Sequence, residues 1–167
     1  MAGNWQILNM QPDADARETL RRCCGSRRWV DGMMARRPFA SPKAMFAVAD
    51  EVWAGLERSD WLEAFAAHPR IGDLAALREK FAATANLCHG EQAGVVGAGE
   101  QVLRDLAEGN RQYEAHFGYI FIVCASGKSA AEMLNLLRGR LGNEPNAELK
   151  IAAAEQAKIT RLRLEKL

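Results

Sequence analysis

The sequence predicts an all-α fold: a compact multi-helix single domain over 1–167, with one buried apolar segment at 117–124. Three observations lead there. Apolar residues recur at helical spacing along most of the chain. Capping residues bracket those stripes, with Ser41-Pro42, Ser129 and Pro145 at starts and Gly142 at an end. Only one run, Phe117 to Cys124, is rich in β-branched and aromatic residues, whereas a parallel sheet needs several such runs alternating with helices.

The elements follow in chain order. Segments 12–24 and 26–36 read as helices punctuated by Gly25 and Pro38. From Ser41, with Pro42 at the first helical position, Met45, Val48, Ala49, Val52, Trp53 and Leu56 form an amphipathic stripe. Ser59 is the expected cap of a short helix holding Trp61, Leu62 and Phe65. His68-Pro69 should stop it, because the residue before proline disfavours the helical region. Leu74, Leu77 and Phe81 mark the next helix. Ser129 to Leu141 reads as another, ended by Gly142, and Pro145 opens a last helix reaching nearly to Leu167. The 117–124 run is either extended or a buried helix end, since periodicity alone does not separate the two.

Composition narrows the function classes. Of 167 residues, 49% are apolar and 26% charged, a globular rather than disordered balance. A chain of this length buries roughly 68–70% of its unfolded surface, so it needs no disulfide or metal staple. No apolar stretch approaches the ~20 residues that span a bilayer, so no membrane role is expected. The amino terminus lacks the features of a signal peptide. Glu165-Lys166-Leu167 only approaches a peroxisomal address, so a cytoplasmic location is expected. Twenty-two basic residues against twenty-one acidic ones disfavour a nucleic-acid-coating role. Arginines do gather in residues 17–43, where solvated helix faces are the expected reading. Cys23, Cys24, Cys88 and Cys124 show neither a disulfide framework nor the spacing of a zinc site, so no metal is expected.

Gly127-Lys128-Ser129 mimics the close of a phosphate-binding loop. The first glycine of that motif would fall at 122, which is Ile122, so a turn and helix start is the better reading. His68-Pro69-Arg70-Ile71-Gly72 differs in kind. It presents an imidazole on a constrained loop, able to pass protons near neutral pH, with a capping or core histidine as the structural alternative. On a helix, Glu91 shares a face with Val95, Ala98 and Val102, so its carboxylate points inward; an exposed first-turn glutamate is the other possibility. Arg163 falls on the same arc of the last helix as Leu149, Ala152, Ala153, Gln156, Leu164 and Leu167, while Arg161 falls opposite. It either meets a carboxylate or anion or snorkels to solvent. Imidazole, carboxylate and guanidinium together suit proton transfer on a small anionic substrate.

The same residues carry a resemblance. The chain resembles the 2-oxo-4-hydroxy-4-carboxy-5-ureidoimidazoline (OHCU) decarboxylases of urate degradation over nearly its full length. The likeness includes Cys23-Cys24-Gly25-Ser26-Arg27-Arg28-Trp29, Arg37-Pro38-Phe39, His68-Pro69-Arg70-Ile71-Gly72 and Glu91-Gln92-Ala93-Gly94. It continues with Phe117-Gly118-Tyr119, Arg138, Arg140, Asn143, Glu148, Glu155-Gln156 and the tail Lys158-Ile159-Thr160-Arg161-Leu162-Arg163-Leu164.

The resemblance implies an all-α fold, decarboxylation of OHCU to (S)-allantoin without a cofactor, and a homodimer. It maps acid–base work to His68 with Glu91, and the site arginine to Arg163, with Arg161 as the alternative. Substrate contacts map to Pro69, to Cys88, His89, Gly90 and Gln92, and to the backbone of Phe121, Ile122, Val123, Cys124 and Ala125. Relatives often carry a serine where this chain has Cys88, and a thiol is the weaker hydrogen-bonding partner. Three other readings compete: a non-enzymatic helical interaction module, a metal-dependent hydrolase, and a urate-pathway enzyme of neighbouring specificity such as a hydrolase acting one step earlier.

Overall fold

A computed structural model describes residues 3–70, 74–86 and 93–167, with side chains described for all of these except 82–86 and 93–98. Among the described residues there are nine helices and no strand. None of these helices is long and apolar enough to cross a membrane. The chain divides into two units, the first formed by 1–68 with 153–167 and the second by 69–152.

The first unit holds α1 (Asn4–Met10), α2 (Asp13–Cys23), α3 (Arg27–Ala35), α4 (Pro42–Ala54), α5 (Arg58–Ala66) and the C-terminal part of α9 (Pro145–Glu165). Its core gathers Leu8, Leu20, Trp29, Met33, Met45, Phe65 and Leu164, each almost wholly buried. The buried indoles each need an acceptor for their N–H. Trp29 Nε1 donates to the carbonyl of Ala49 at 3.2 Å and Trp53 Nε1 to that of Ala153 at 2.9 Å. The expected cap at Ser41 forms, and Ser26 caps α3 in the same way, each hydroxyl accepting from a backbone N–H in the first turn. At α5 the expected cap is displaced. The helix starts at Arg58, and Asp60 reaches back to accept the backbone N–H of Glu57 at 3.0 Å, so Ser59 lies inside the first turn. The short α1 was not expected from the sequence. Arg37 holds its end, donating to the carbonyls of Asn9 at 2.9 Å and Gln11 at 2.7 Å.

The arginine-rich stretch lies largely on solvated faces, ion-paired as expected of charge runs. Arg17 meets Asp31 at 2.6 Å, Arg27 meets Glu63 at 2.9 Å and Arg36 meets Glu51 at 3.1 Å, all on exposed positions.

The second unit holds α6 (Leu74–Asn86), α7 (Ala93–Phe117), α8 (Ala130–Leu141) and the first residues of α9. The long α7 packs on both α6 and α8. Leu77, Leu106, Tyr113, Leu134 and Leu137 form its buried centre. Ser129 caps α8 as expected, exchanging hydrogen bonds with Glu132 in a capping box.

The 117–124 run resolves into two parts. Phe117 ends α7, and Gly118 follows at φ +83°, the left-handed conformation that glycine adopts without a Cβ penalty. Its N–H closes the helix on the carbonyl of Glu114 at 2.9 Å. Residues 120–125 then continue as neither helix nor strand, with Ile122, Val123 and Cys124 buried. With no ladder partner, their path needs support from side chains.

Candidate functional site

In the first unit, the site begins where α5 stops. Ala67 caps the helix, and the N–H of His68 donates to the carbonyl of Phe65 at 3.2 Å, closing the last turn. Pro69 follows and prevents continuation. The end of α5 is fixed by a close approach: a Cβ placed on Gly25 would lie 2.3 Å from the Cβ of Ala67. His68 is half-buried, and its Nε2 sits 2.5 Å from Oε1 of Gln156 on α9. Gln156 is wholly buried, and its own Nε2 donates to Oγ1 of Thr160 at 3.1 Å, one helical turn further on. The Thr160 hydroxyl and the Ser26 backbone N–H both lie beside the buried Cys24 sulfur and partly offset the effect of burial on its thiol.

Burial pushes the thiols of Cys23 and Cys24 up to about 11, so both are protonated at neutral pH. They act as packing groups rather than nucleophiles.

Arg163 turns inward as the helical arc predicts. It is half-buried, with Nη1 at 3.4 Å from the carbonyls of Arg22 and Cys23 at the end of α2. A cation near the carbonyl end of a helix is favourably placed. Arg161 is exposed instead, its guanidinium 4.6 Å from the Phe46 ring centre and 3.4 Å from Glu165.

In the second unit, Pro69 is exposed, and the neighbouring Arg70 pairs with Glu114 at 2.5 Å. The 121–125 backbone is held by a buried charged cluster. Arg140 Nη1 donates to the carbonyl of Ile122 at 2.6 Å, and its Nε donates to Glu148 Oε1 at 2.6 Å. The Tyr113 hydroxyl donates to the same carboxylate oxygen at 2.6 Å, and Asn143 Nδ2 donates to Oε2 at 2.9 Å. The Arg140 guanidinium also lies 4.6 Å from the centre of the Phe121 ring. Burial and the Glu148 carboxylate raise the pKa of the Tyr113 phenol. Downstream, Lys128 Nζ folds back onto the carbonyl of Cys124 at 2.7 Å, and Gly127 takes φ +73°. The Gly127-Lys128-Ser129 stretch is a turn and helix start, as the sequence predicts.

His68 and Arg163 thus share the first unit, while Pro69 and Phe121, Ile122, Val123, Cys124 and Ala125 belong to the second. Cys88, His89, Gly90, Glu91 and Gln92 lie outside the described residues. Among the described residues, no three His, Cys, Asp or Glu side chains gather as a metal site requires.

The supporting groups Gln156, Thr160, Arg140 and Glu148 were not singled out by chemistry in the sequence. One signal was available for Gln156: an amide on the inward arc of α9, among Ala152, Ala153 and Leu164, must find a buried partner.

The chain matches the family model described as OHCU decarboxylase over residues 9–165. It is 40% identical over 147 residues to the Arabidopsis thaliana uric acid degradation bifunctional protein TTL, covering 87% of this chain and 45% of that protein. It is 45% identical over 56 residues to the Amia calva 2-oxo-4-hydroxy-4-carboxy-5-ureidoimidazoline decarboxylase, covering 34% of this chain and 32% of that protein. The chain therefore spans less than half the length of these relatives in the matched regions. Among solved structures it is similar to a crystal structure of an OHCU decarboxylase in the presence of (S)-allantoin. That match has 36% identity and a TM-score of 0.71, covering 93% of this chain and 97% of the other. A crystal structure of an (S)-allantoin synthase shares the fold at 18% identity and a TM-score of 0.68, covering 97% of this chain and 53% of the other. With the family model matching residues 9–165 of its 167, the chain belongs to the OHCU decarboxylase family.

Proposed function

We propose that this chain decarboxylates OHCU to (S)-allantoin without a cofactor, the last step in converting urate to allantoin. One observation carries the reading: within a full-length family match, His68 stands half-buried on a constrained loop, its ring gripped by a buried amide. In the reaction, the bond from the ring carbon to the carboxylate breaks and CO₂ leaves. The electron pair passes into the conjugated imine and carbonyl groups, and a proton is then added on one face. The protein's part is to desolvate the carboxylate, stabilise the developing charge and deliver that proton.

Arg163 and the 121–125 backbone orient the anion. His68 and Glu91 manage the hydroxyl and ring protons, with Gln92, Pro69 and the 88–90 segment completing the substrate contacts. The reading further includes a single domain over 1–167 acting as a homodimer in the cytoplasm. The buried free thiols of Cys23, Cys24 and Cys124 suit a reducing compartment.

The test is chiral. Urate is oxidised in situ with hydroxyisourate hydrolase present, and circular dichroism is followed with and without this protein. Rapid appearance of dextrorotatory allantoin is expected, and His68→Ala and Glu91→Ala should each lower turnover by about 10²–10⁴-fold. Slow racemic product with the wild-type protein present would overturn the activity. Full turnover by both variants would overturn the residue assignment alone.

A further inference from the structure

The turn between the 121–125 segment and α8 holds a lysine that serves its own chain. Lys128 grips the two carbonyls just before the turn: its backbone N–H donates to that of Ala125 at 3.1 Å and its Nζ to that of Cys124 at 2.7 Å. Gly127, at φ +73°, supplies the reversal. A Cβ there would meet nothing within 4 Å, so it is the backbone angle that calls for glycine. Lys128 is half-buried, and among the described residues no carboxylate pairs with its ammonium. Arg140 differs in having its charge balanced by Glu148, while its Nη1 holds the Ile122 carbonyl at 2.6 Å. Two cations thus grip alternate carbonyls of a segment that has no ladder.

A planar trans peptide turns each grip into an aim, because its C=O and the N–H of the next residue point in opposite directions. Among the described residues the cis bond is Arg37-Pro38, so the 122–123 and 124–125 units are trans. With its oxygen drawn to Arg140, the first unit directs the Val123 N–H away from that guanidinium. With its oxygen drawn to Lys128, the second directs the Ala125 N–H away from the ammonium. Among the described residues neither N–H meets an acceptor. Backbone donors in buried segments are rarely left unpaired, which calls for an acceptor from outside the chain. A cation on the carbonyl also polarises the peptide and makes its N–H a stronger donor.

We propose that Lys128 is a positioning residue for substrate binding: by holding the Cys124 carbonyl it aims and polarises the Ala125 N–H toward an anionic oxygen of the substrate. Arg140 does the same for the Val123 N–H. The inference rests on the proposed contact between the 121–125 backbone and the substrate. It also gives Gly127-Lys128, which only mimics a phosphate-binding loop, a use of its own, with the lysine serving a peptide rather than a phosphate. Lys128 is the better place for a test, because Arg140 also closes the Glu148 cluster and its loss disturbs the fold.

The experiment pairs steady-state kinetics of OHCU consumption with backbone 15N–1H spectra of the full chain. Lys128→Met should raise KM about tenfold with kcat within about threefold, the pattern of binding lost equally from ground and transition states. The Ala125 amide resonance should move in that variant. Those of Leu134 and Leu137, in the buried centre of the same unit, should hold and so show that it is folded. Lys128→Arg keeps a cationic donor within reach of a single carbonyl, and it should return both KM and the Ala125 resonance to near wild-type values.

An unmoved Ala125 resonance in Lys128→Met overturns the clamp. A moved resonance with wild-type KM overturns the contact between this peptide and the substrate, and a loss confined to kcat overturns the binding role. An arginine variant that behaves like the methionine one overturns the part given to the cation. A wild-type protein that does not hasten OHCU loss overturns the proposed function instead, and the Ala125 resonance still decides whether the clamp exists.

Discussion

The polar chain of the first unit, His68–Gln156–Thr160, buries a neutral amide and hydroxyl, whereas the second unit buries a guanidinium against a carboxylate. The second cluster is closed: Glu148 accepts from Tyr113, Arg140 and Asn143, and Arg140 spends a further donor on the carbonyl of Ile122. The first ends at a half-buried imidazole on a constrained loop. A closed charged cluster has no spare valence for a reactant and a high cost of disturbance, so it suits the fixing of backbone. A neutral amide and hydroxyl, each hydrogen-bonded, cost less to bury than a charge does.

The sharpest way to break this comparison is to open the closed cluster. Arg140→Met leaves Glu148 buried without its cation and should cost about 3–5 kcal/mol in urea unfolding. Pairing it with Glu148→Leu should recover much of that loss, because burying neither charge is cheaper than burying one. A single-variant cost below about 1 kcal/mol would contradict the cluster as described.

Alkaline titration sharpens the other side. The folded thiols of Cys23 and Cys24 are raised from 9.0 to about 11, so the folded state favours the protonated form. That stabilisation is complete below about pH 9 and fades as pH rises from 9 through 11. Each thiol should account for about 2 kcal/mol of it. Melting temperature followed across this window should fall, and Cys23→Ala should remove about half of the thiol contribution. A melting temperature unchanged across the window would mean that the thiols are not protected by burial.

The smallest effect comes from geometry alone. Gly25→Ala drives a methyl group into Ala67 and should cost about 1–3 kcal/mol. Since Ala67 adjoins His68, turnover should drop as well. An alanine variant equal to wild type in both stability and rate would show that the end of α5 is not pinned there.

Much of the helical scaffold was legible because its signals are local. Ser41, Ser129 and Pro145 each sit at or beside the helix start they mark. The start of α5 was misplaced by two residues because Asp60 reaches back to the Glu57 N–H, a bond that competes with the simpler Ser59 signal. The helix α1 escaped notice because it is only seven residues long and its end is tied down from outside. Asn9 Nδ2 donates to the carbonyl of Phe39, whose own N–H donates to Asn9 Oδ1, and Arg37 adds two further bonds.

At the site, the inward arc of α9 placed Arg163 correctly from a 100° step alone. The pairing of Gln156 with His68 spans 88 positions, and that of Tyr113 with Glu148 spans 35. No periodicity reaches so far. What the pattern could show was that such polar groups would need partners; only the folded chain shows which ones.

The Ile122 carbonyl has a consequence for how this segment can diverge. Arg140 grips a backbone oxygen, a feature every residue type supplies, so the instructions for the path of 120–125 are stored outside it, on α8 and α9. Side chains within the segment are therefore free to drift among apolar residues of similar size. Arg140 is not: a lysine in its place cannot serve carbonyl, carboxylate and phenol from one planar fork. Over time the loop can change its letters while keeping its course, and the residues that resist change will be those that never touch what the loop presents.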